Sequence, residues 1–498
     1  MGATTNGTST NGTNGTVANP IETRLFIDGK FVDASDKGTF KLYSPRTREQ
    51  VAEVAEATVE DVDAAVAAAK KAQPAWEALS PFVRGAYMKK LAALIRENHD
   101  ELAALEAKSM GKPVSAYIDS HAAAWKFEYY SEAAMAFHGS TSLHTPGFIN
   151  ITLKQPFGVA AAIIPWNLPL LFFGHKVAPA IAAGNCIVLK SSEKAPLTSI
   201  KVAQLIEKVG FPPGVINVIS GHGPVSGSAL STHMDVRVIS FTGSGRTGRI
   251  IQAAAAKSNL KNVILELGGK SPAVVFDDAN FDDAVKATAK SVYWNSGQVC
   301  IANSRIYVQD TIAEKFVTAF NEEMKAVVAG DPLDKETALG PVADEKQYEI
   351  INEYIKSGKE AGGKLQMGGA EADTQRNGYV IKPTVFLETP DDAKMMREEI
   401  FGPVVNISAF KTEEEVLARA NNTEYGLFAA VFTKNIDRAL RMAKNLESGI
   451  VGVNCTSPNT THDLPFGGIK SSGLGREGIH NSMENFTETK TVVIKIDS

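Results

Sequence analysis

Residues 159–267 hold five short apolar runs: VAAAII (159–164), CIVLK (186–190), GVINVIS (214–220), VRVISF (236–241) and NVILEL (262–267). Helix-like segments of roughly 10–15 residues separate them. A connection that long carries the chain over one face of a sheet and returns it parallel, so the pattern predicts a parallel sheet covered on both sides. A second series follows in PAVVF (272–276), SRIYVQ (304–309), YVIKPTVF (379–386), VVNISAF (404–410), LFAAVF (427–432) and GIVGVN (449–454), with helices such as Ala313–Val328 between them. The reading is α/β, with two doubly wound domains meeting near Gly268-Gly269.

The chain of 498 residues, 44% hydrophobic and 21% charged, suffices for two or three packed domains and excludes wholesale disorder. A net charge of −5 lacks the basic excess of a nucleic-acid or anionic-membrane binder, and no apolar run reaches the length of a membrane span. Three scattered cysteines, Cys186, Cys300 and Cys455, form neither a disulfide framework nor a metal cluster, so no metal is expected. Free thiols point to a reducing, cytoplasmic compartment. Residues 1–20 are Asn/Gly/Thr-rich, with neither a secretory nor a transit pattern, and read as a disordered tail.

Between tail and sheet, Glu22–Ser44 reads as short strands and turns. Thr58 caps an alanine-rich helix, and further helix runs through Glu106 and over Ser115–Ala136. At 140–154 the turn Thr145-Pro146-Gly147 precedes alternating Ile149, Ile151 and Leu153, a hairpin signal. The C-terminal TVVIKI (491–496) is also strand-like. Both strands lie outside the main α/β series, and either pair with a neighbouring subunit or form ordinary edge strands within one.

Parallel sheets place ligands beyond the carboxyl ends of their strands. There, Phe241-Thr-Gly-Ser-Gly-Arg-Thr-Gly248 contains G-x-G-x-x-G (Gly243, Gly245, Gly248) between an expected strand and a helix. Glycine admits a pyrophosphate to the backbone, and the helix start favours its charge. Glu266, 18 residues past Gly248, suits the acid that holds a ribose, although a second role competes for it. Cys300, in Tyr293-Trp-Asn-Ser-Gly-Gln-Val-Cys, follows a helix among small polar residues. It reads either as a partly exposed, ionised nucleophile or as a small buried apolar residue. Cys186 and Cys455 lie in strand-like runs and suit the buried reading.

Together these segments resemble the NAD(P)-dependent aldehyde dehydrogenases from about Leu25 to Ile496. The motifs are Pro165-Trp166-Asn167, Lys190-Ser-Ser-Glu193, Phe241-Thr-Gly-Ser244, Leu265-Glu-Leu-Gly-Gly-Lys270, Gly297-Gln-Val-Cys300, Glu398-Glu-Ile-Phe-Gly-Pro403 and Pro465-Phe-Gly-Gly468. The resemblance implies Cys300 as nucleophile, Glu266 as general base, Asn167 as oxyanion donor and Lys176 as a group that moves protons. It places NAD, with NADP less preferred, against Lys190 and Glu193 (adenosine ribose), Gly243 and Ser244 (pyrophosphate turn), and Glu399 and Phe401 (nicotinamide ribose and ring). Ile164, Pro165, Trp166, Gly223, Gly227, Phe241, Gly248 and Leu267 complete the cofactor side. The family fold implies a Rossmann-like cofactor domain (21–138 and 155–267), a catalytic domain (268–465) and a small β oligomerisation arm (139–154 and 478–498) building a homodimer or homotetramer.

For the substrate, Leu168, Phe172, His175, Trp294, Val299, Ile301 and Phe466 are expected to line an entry tunnel suited to aromatic or medium-chain aldehydes. Trp294 is equally compatible with a core position, and His175 reads as a space-filling polar residue. The activity implied is oxidation of an aldehyde through a cysteine thiohemiacetal and thioester, hydrolysed by glutamate-activated water. A coenzyme A-acylating enzyme and a catalytically silent scaffold are the alternatives; Glu266 speaks against the first, and the Cys300, Glu266 and Asn167 set against the second.

Overall fold

The computed structural model describes residues 21–369, 378–459 and 463–496. The tail expected over 1–20 lies outside them. Two large sheets carry the molecule. In the first, five central strands run parallel in the order Asn262–Glu266, Val238–Thr242, Val159–Ile163, Cys186–Lys190, Ile216–Ile219. Antiparallel edge strands close it, Gly473–Leu474 on one side and Leu25–Ile27 with Lys30–Val32 on the other. Strand order reverses at Val159–Ile163, which pairs with a later strand on each side. That switch point opens a crevice beyond the strand ends. Val159–Ile163 is wholly buried, and its three alanines let the long apolar helix Pro169–Ala182 approach closely.

The second sheet runs Lys364–Met367, Thr384–Leu387, Val404–Phe410, Asn303–Gln309, Ser271–Val275, Phe428–Phe432, Ile450–Val453, parallel except at its first strand. Sequence and structure differ here in three places. Lys364–Met367 is four residues long and largely exposed, too short a run to mark a strand in sequence. The run at 379–386 becomes a strand only at Thr384, because Pro383 has no N–H to give the ladder. The strand at 450 stops at Val453, which leaves Cys455 exposed rather than buried as its apolar run suggests.

Helices over Val59–Ala78, Pro81–Glu97, His99–Met110 and Asp119–Ala133 precede the five parallel strands of the first sheet. The Thr58 cap forms as a reciprocal pair: its hydroxyl accepts from the Asp61 N–H at 3.2 Å, and the Asp61 carboxylate accepts from the Thr58 N–H at 2.9 Å. The two outlying strands pair with each other. Phe148–Pro156 lies antiparallel to Thr487–Lys495 over its whole length, with Thr141–Ser142 on its other edge. The outer edge of Thr487–Lys495 has no strand beside it, and Val493 and Ile494 on it are exposed.

Candidate active site

Three strand ends of the first sheet and one loop of the second converge. Val159–Ile163 runs into Ile164-Pro165-Trp166-Asn167, and Pro169 starts the next helix with the φ it already prefers. Val238–Thr242 turns at Gly243 into the helix Gly245–Lys257, which Ser244 caps by accepting from the Thr247 N–H at 3.4 Å. A Cβ on Gly243 would sit 2.5 Å from the Phe241 ring, and one on Gly248 would overlap Leu267. Glycine at both positions lets the helix seat directly on the sheet. Asn262–Glu266 ends on the glutamate itself, and Gly268 turns the chain with φ +83° past the Glu399 carboxylate.

Cys300 arrives from the second domain. After the helix Phe281–Tyr293, Asn295, Ser296 and Gly297 adopt left-handed φ values of 50°, 56° and 70°. Consecutive left-handed residues are costly and persist only where their surroundings hold them. Here the Asn295 amide donates to the Asn167 carbonyl at 3.0 Å, and the Gln298 side chain donates to the Asn295 carbonyl at 3.1 Å and accepts from the Ala343 N–H at 2.9 Å. The Asn167 amide donates one hydrogen to the Gln298 carbonyl at 2.9 Å. Its second N–H is left for the cavity.

Two cavities meet at Cys300. The larger, about 260 Å³, is walled by Pro165, Trp166, Asn167, Gly243, Ser244, Glu266, Glu399 and Phe401, with Phe172 and Cys300 at its inner end. Trp166 and Phe401 meet edge-on, ring centroids 5.3 Å apart. The smaller, about 80 Å³, shares Phe172 and Cys300 and is walled by Leu168, His175, Trp294, Val299, Ile301 and Phe466. Trp294 therefore faces this cavity while packing in the main hydrophobic core. Ile164, Lys190, Glu193, Gly223, Gly227, Phe241, Gly248 and Leu267 lie on neighbouring strand ends and turns, outside both walls. Lys190 is buried with its ammonium donating to the Ser191 carbonyl at 3.0 Å; burial lowers its pKa, and the Glu193 charge opposes that. Lys176 also lies off both walls, its ammonium paired with Glu477, which accepts from the Ser240 hydroxyl at 3.1 Å.

The titrations at the junction follow from burial. Glu266 is pushed up to about 7 by loss of water, against the pull of Lys176 and a hydrogen bond with Cys300. Its Oε1 has no hydrogen-bond partner. Glu399 is pushed up to about 8 by burial, although the Gly269 N–H donates to it at 2.9 Å. Cys300 is 8% exposed, and burial followed by the Glu266 and Glu399 charges raises its thiol well above the ordinary range. The expectation of a partly exposed, already ionised thiolate is thus overturned. The left-handed turn tucks the sulfur into the molecule beside two carboxyl groups, where the resting form is the thiol.

Several wall residues escaped the sequence reading. Thr242 and Ile400 stand inside motifs that carried the resemblance and were within reach. Gln347 and Ile350 come from the helix Glu345–Glu360, and Lys126, Leu171 and Leu464 from segments that read as plain helix or loop. No local signal marks them.

A buried cysteine and a buried carboxyl group share one cavity wall with a glycine turn at the switch point of a doubly wound sheet, the arrangement of a thiol-dependent oxidoreductase. The aldehyde dehydrogenase family model matches residues 31–492, and the chain belongs to that family. It is 45% identical over 476 residues to an aldehyde dehydrogenase of Davidiella tassiana, covering 95% of each chain. It is 43% identical over 479 residues to retinal dehydrogenase 2 of Homo sapiens, covering 95% of this chain and 92% of that one. PnpE, solved in complex with nicotinamide adenine dinucleotide, superposes with a TM-score of 0.94 at 42% identity, over 96% of this chain and 98% of that one. The protein is an aldehyde dehydrogenase by family, and among the described residues no helix is long and apolar enough to cross a membrane.

Proposed function

We propose that the protein oxidises aldehydes to carboxylic acids with NAD, through a thiohemiacetal and a thioester on Cys300, and hydrolyses the thioester with water activated by Glu266. The observation that carries this reading is that Cys300 and the buried Glu266 line one cavity, with Cys300 also on the wall of the second. The larger cavity fits a dinucleotide: Gly243 gives it an open backbone turn at a capped helix start, and Glu399 reaches its inner end. Gly243 and Ser244 would hold the pyrophosphate, Lys190 and Glu193 the adenosine ribose, and Glu399 with Phe401 the nicotinamide ribose and ring. The chemistry that bound NAD supplies is hydride acceptance, which turns the thiohemiacetal carbon into a thioester.

The rest falls to the chain's own groups. Glu266, as carboxylate, takes the Cys300 proton, which the raised thiol pKa would otherwise retain. The thiolate forms a bond to the aldehyde carbon, and the carbonyl electron pair moves to oxygen. The free N–H of the Asn167 amide and the Cys300 backbone N–H stabilise that oxyanion. Once Glu266 has passed the first proton to solvent, it takes a proton from water in the second half-reaction, the hydroxide adds to the thioester carbon, and the C–S bond breaks to release the acid and the sulfur, which takes its proton back from Glu266. A pKa near 7 lets one carboxyl group give and take protons at neutral pH.

The smaller cavity, walled by Phe172, Trp294 and Phe466, suits aromatic or medium-chain aldehydes. Residues 21–138 with 155–267 form the NAD-binding unit and 268–465 the catalytic unit. Segments 139–154 and 478–498 form an arm whose open edge and exposed Val493 and Ile494 join subunits into a homodimer or homotetramer. The deciding experiment is NADH formation across aliphatic, aromatic and semialdehyde substrates, with and without coenzyme A. Turnover without coenzyme A supports hydrolysis; strict dependence on it would replace hydrolysis by acyl transfer.

A further inference from the structure

Among the described residues, Lys126 is the one charged side chain on the wall of the smaller cavity, among Ile118, Leu171, Phe172, Trp294, Leu464 and Phe466. It is 4% exposed, on the helix Asp119–Ala133. Other lysines buried to this depth spend their ammonium groups on the protein. Lys112 pairs with Glu106 and Asp119, Lys176 with Glu477, and Lys261 donates to the Ser231 carbonyl at 2.6 Å. Lys270, also without a hydrogen-bond partner, lines neither cavity. Among the described residues no carboxylate forms an ion pair or hydrogen bond with Lys126. Its Nζ lies 4.8 Å from the centroid of the Trp125 ring, and Glu477, whose charge it feels, gives its Oε1 to Lys176 and Ser240, while its Oε2 has no hydrogen-bond partner. Burial accordingly lowers its pKa to about 8, which still leaves it mostly charged at neutral pH.

Holding an unpaired ammonium against an apolar wall costs free energy that a methionine would spare. We propose that Lys126 is a specificity-determining residue that receives a carboxylate carried by the substrate at the end remote from its aldehyde group, so that carboxylate-bearing aldehydes are favoured over neutral ones of the same shape. This rests on the proposed reading of Cys300 and the smaller cavity as the substrate site. One ammonium balances one carboxylate, whereas the second charge of a phosphate would find no partner on these walls.

The test compares kcat/KM for para-formylbenzoate against para-tolualdehyde, and for glutaric semialdehyde against pentanal. The wild-type chain should favour the acid in at least one pair. Lys126→Met should lower that acid-to-neutral ratio by about 10- to 100-fold, and Lys126→Arg should restore part of it. Because the readout is a ratio, a general loss of activity cancels. A ratio unchanged in Lys126→Met, or wild-type preference for the neutral aldehyde in both pairs, overturns the proposal. Turnover of neutral aldehydes in either case leaves the Cys300 reading standing; no NAD-dependent turnover of any aldehyde removes both. Should Lys126→Met fail to fold, the wild-type chain carries the same test. Stronger product inhibition by terephthalate than by para-toluate supports the proposal, and the reverse order overturns it.

Discussion

The two cavities that meet at Cys300 are built on different principles. The larger is walled by backbone turns: Pro165-Trp166-Asn167, Gly243-Ser244 and Glu399 through Phe401 each occupy a few consecutive residues at a strand end or tight loop. The smaller is walled by side chains gathered from distant places, with Ile118 and Lys126 at and in one helix, Leu168 and His175 at and in another, and Pro458, Leu464 and Phe466 far along the chain from both. A turn-built wall constrains residue type at its tightest points, such as Gly243 and Gly268, where a side chain would collide. A packing-built wall asks mainly for shape, which many sequences supply. Chemistry should therefore be brittle around the first cavity and selectivity adjustable around the second.

The largest effect falls at the junction. Cys300→Ala should reduce turnover by about 10⁴–10⁶-fold, since loss of a nucleophile removes covalent catalysis outright. NAD binding, followed by calorimetry, should persist, because Cys300 only touches the inner end of the larger cavity. Retained turnover would remove Cys300 as nucleophile and with it the division of labour between the cavities.

Glu266→Gln comes next, with a loss of about 10²–10⁴-fold. Its pH signature is the sharper reading. The working form is the carboxylate, and burial raises its pKa to about 7, so activity should be full above that value and fall as pH drops through it. The fall should approach tenfold per pH unit on the acid side. The variant, with no group to titrate there, should lose that limb of the profile. Asn167→Ala should cost about 10²–10³-fold in kcat, the usual loss of one oxyanion donor. A change in KM alone would assign the amide to binding rather than to the developing charge.

The same contrast explains what could be read before the fold was known. Strand runs with glycine turns were legible because a parallel strand buried on both faces must be continuously apolar, and because Gly243 and Gly268 sit where a side chain would collide. The edge strand Lys364–Met367 was not, since exposure frees its composition. Gln347, Glu477 and Lys126 look like ordinary surface residues in sequence. Only tertiary packing shows that Gln347 donates to the Phe401 carbonyl at 3.0 Å, or that Lys126 faces a cavity. The sequence left open whether Cys300 is exposed or buried for a related reason: its neighbours in sequence are small and polar, whereas the groups that act on it in space are Glu266 and Glu399.

On the packing-built side, Phe466→Ala should leave catalysis intact in kind and change the order of substrates. Phe466 is half-buried on the smaller cavity, so truncation widens the site more than it unsettles the core. Relative kcat/KM for benzaldehyde over acetaldehyde should fall by about 10-fold, the scale of lost apolar contact in a pocket. An equal loss on both substrates would mean that the ring positions Cys300 rather than the aldehyde.

The smallest effect tests a position outside both cavity walls, where the proposed nucleotide site depends on a choice made by one side chain. Glu193 follows the strand Cys186–Lys190, half-buried, with the Ser192 hydroxyl donating to its Oε2 at 3.4 Å. A carboxylate there accepts from a ribose 2′-hydroxyl and repels a 2′-phosphate, so NAD should be preferred over NADP. Glu193→Gln keeps the shape and removes the charge. The NAD-to-NADP ratio of kcat/KM should then fall by about 10-fold, through a lower KM for NADP more than a higher one for NAD, because repulsion between charges a few ångströms apart is worth about 1–4 kcal/mol near a protein surface. The effect should shrink at high salt, as a screened charge–charge term must. A ratio that stays fixed at every ionic strength would mean that the neighbouring backbone, rather than this carboxylate, selects the nucleotide.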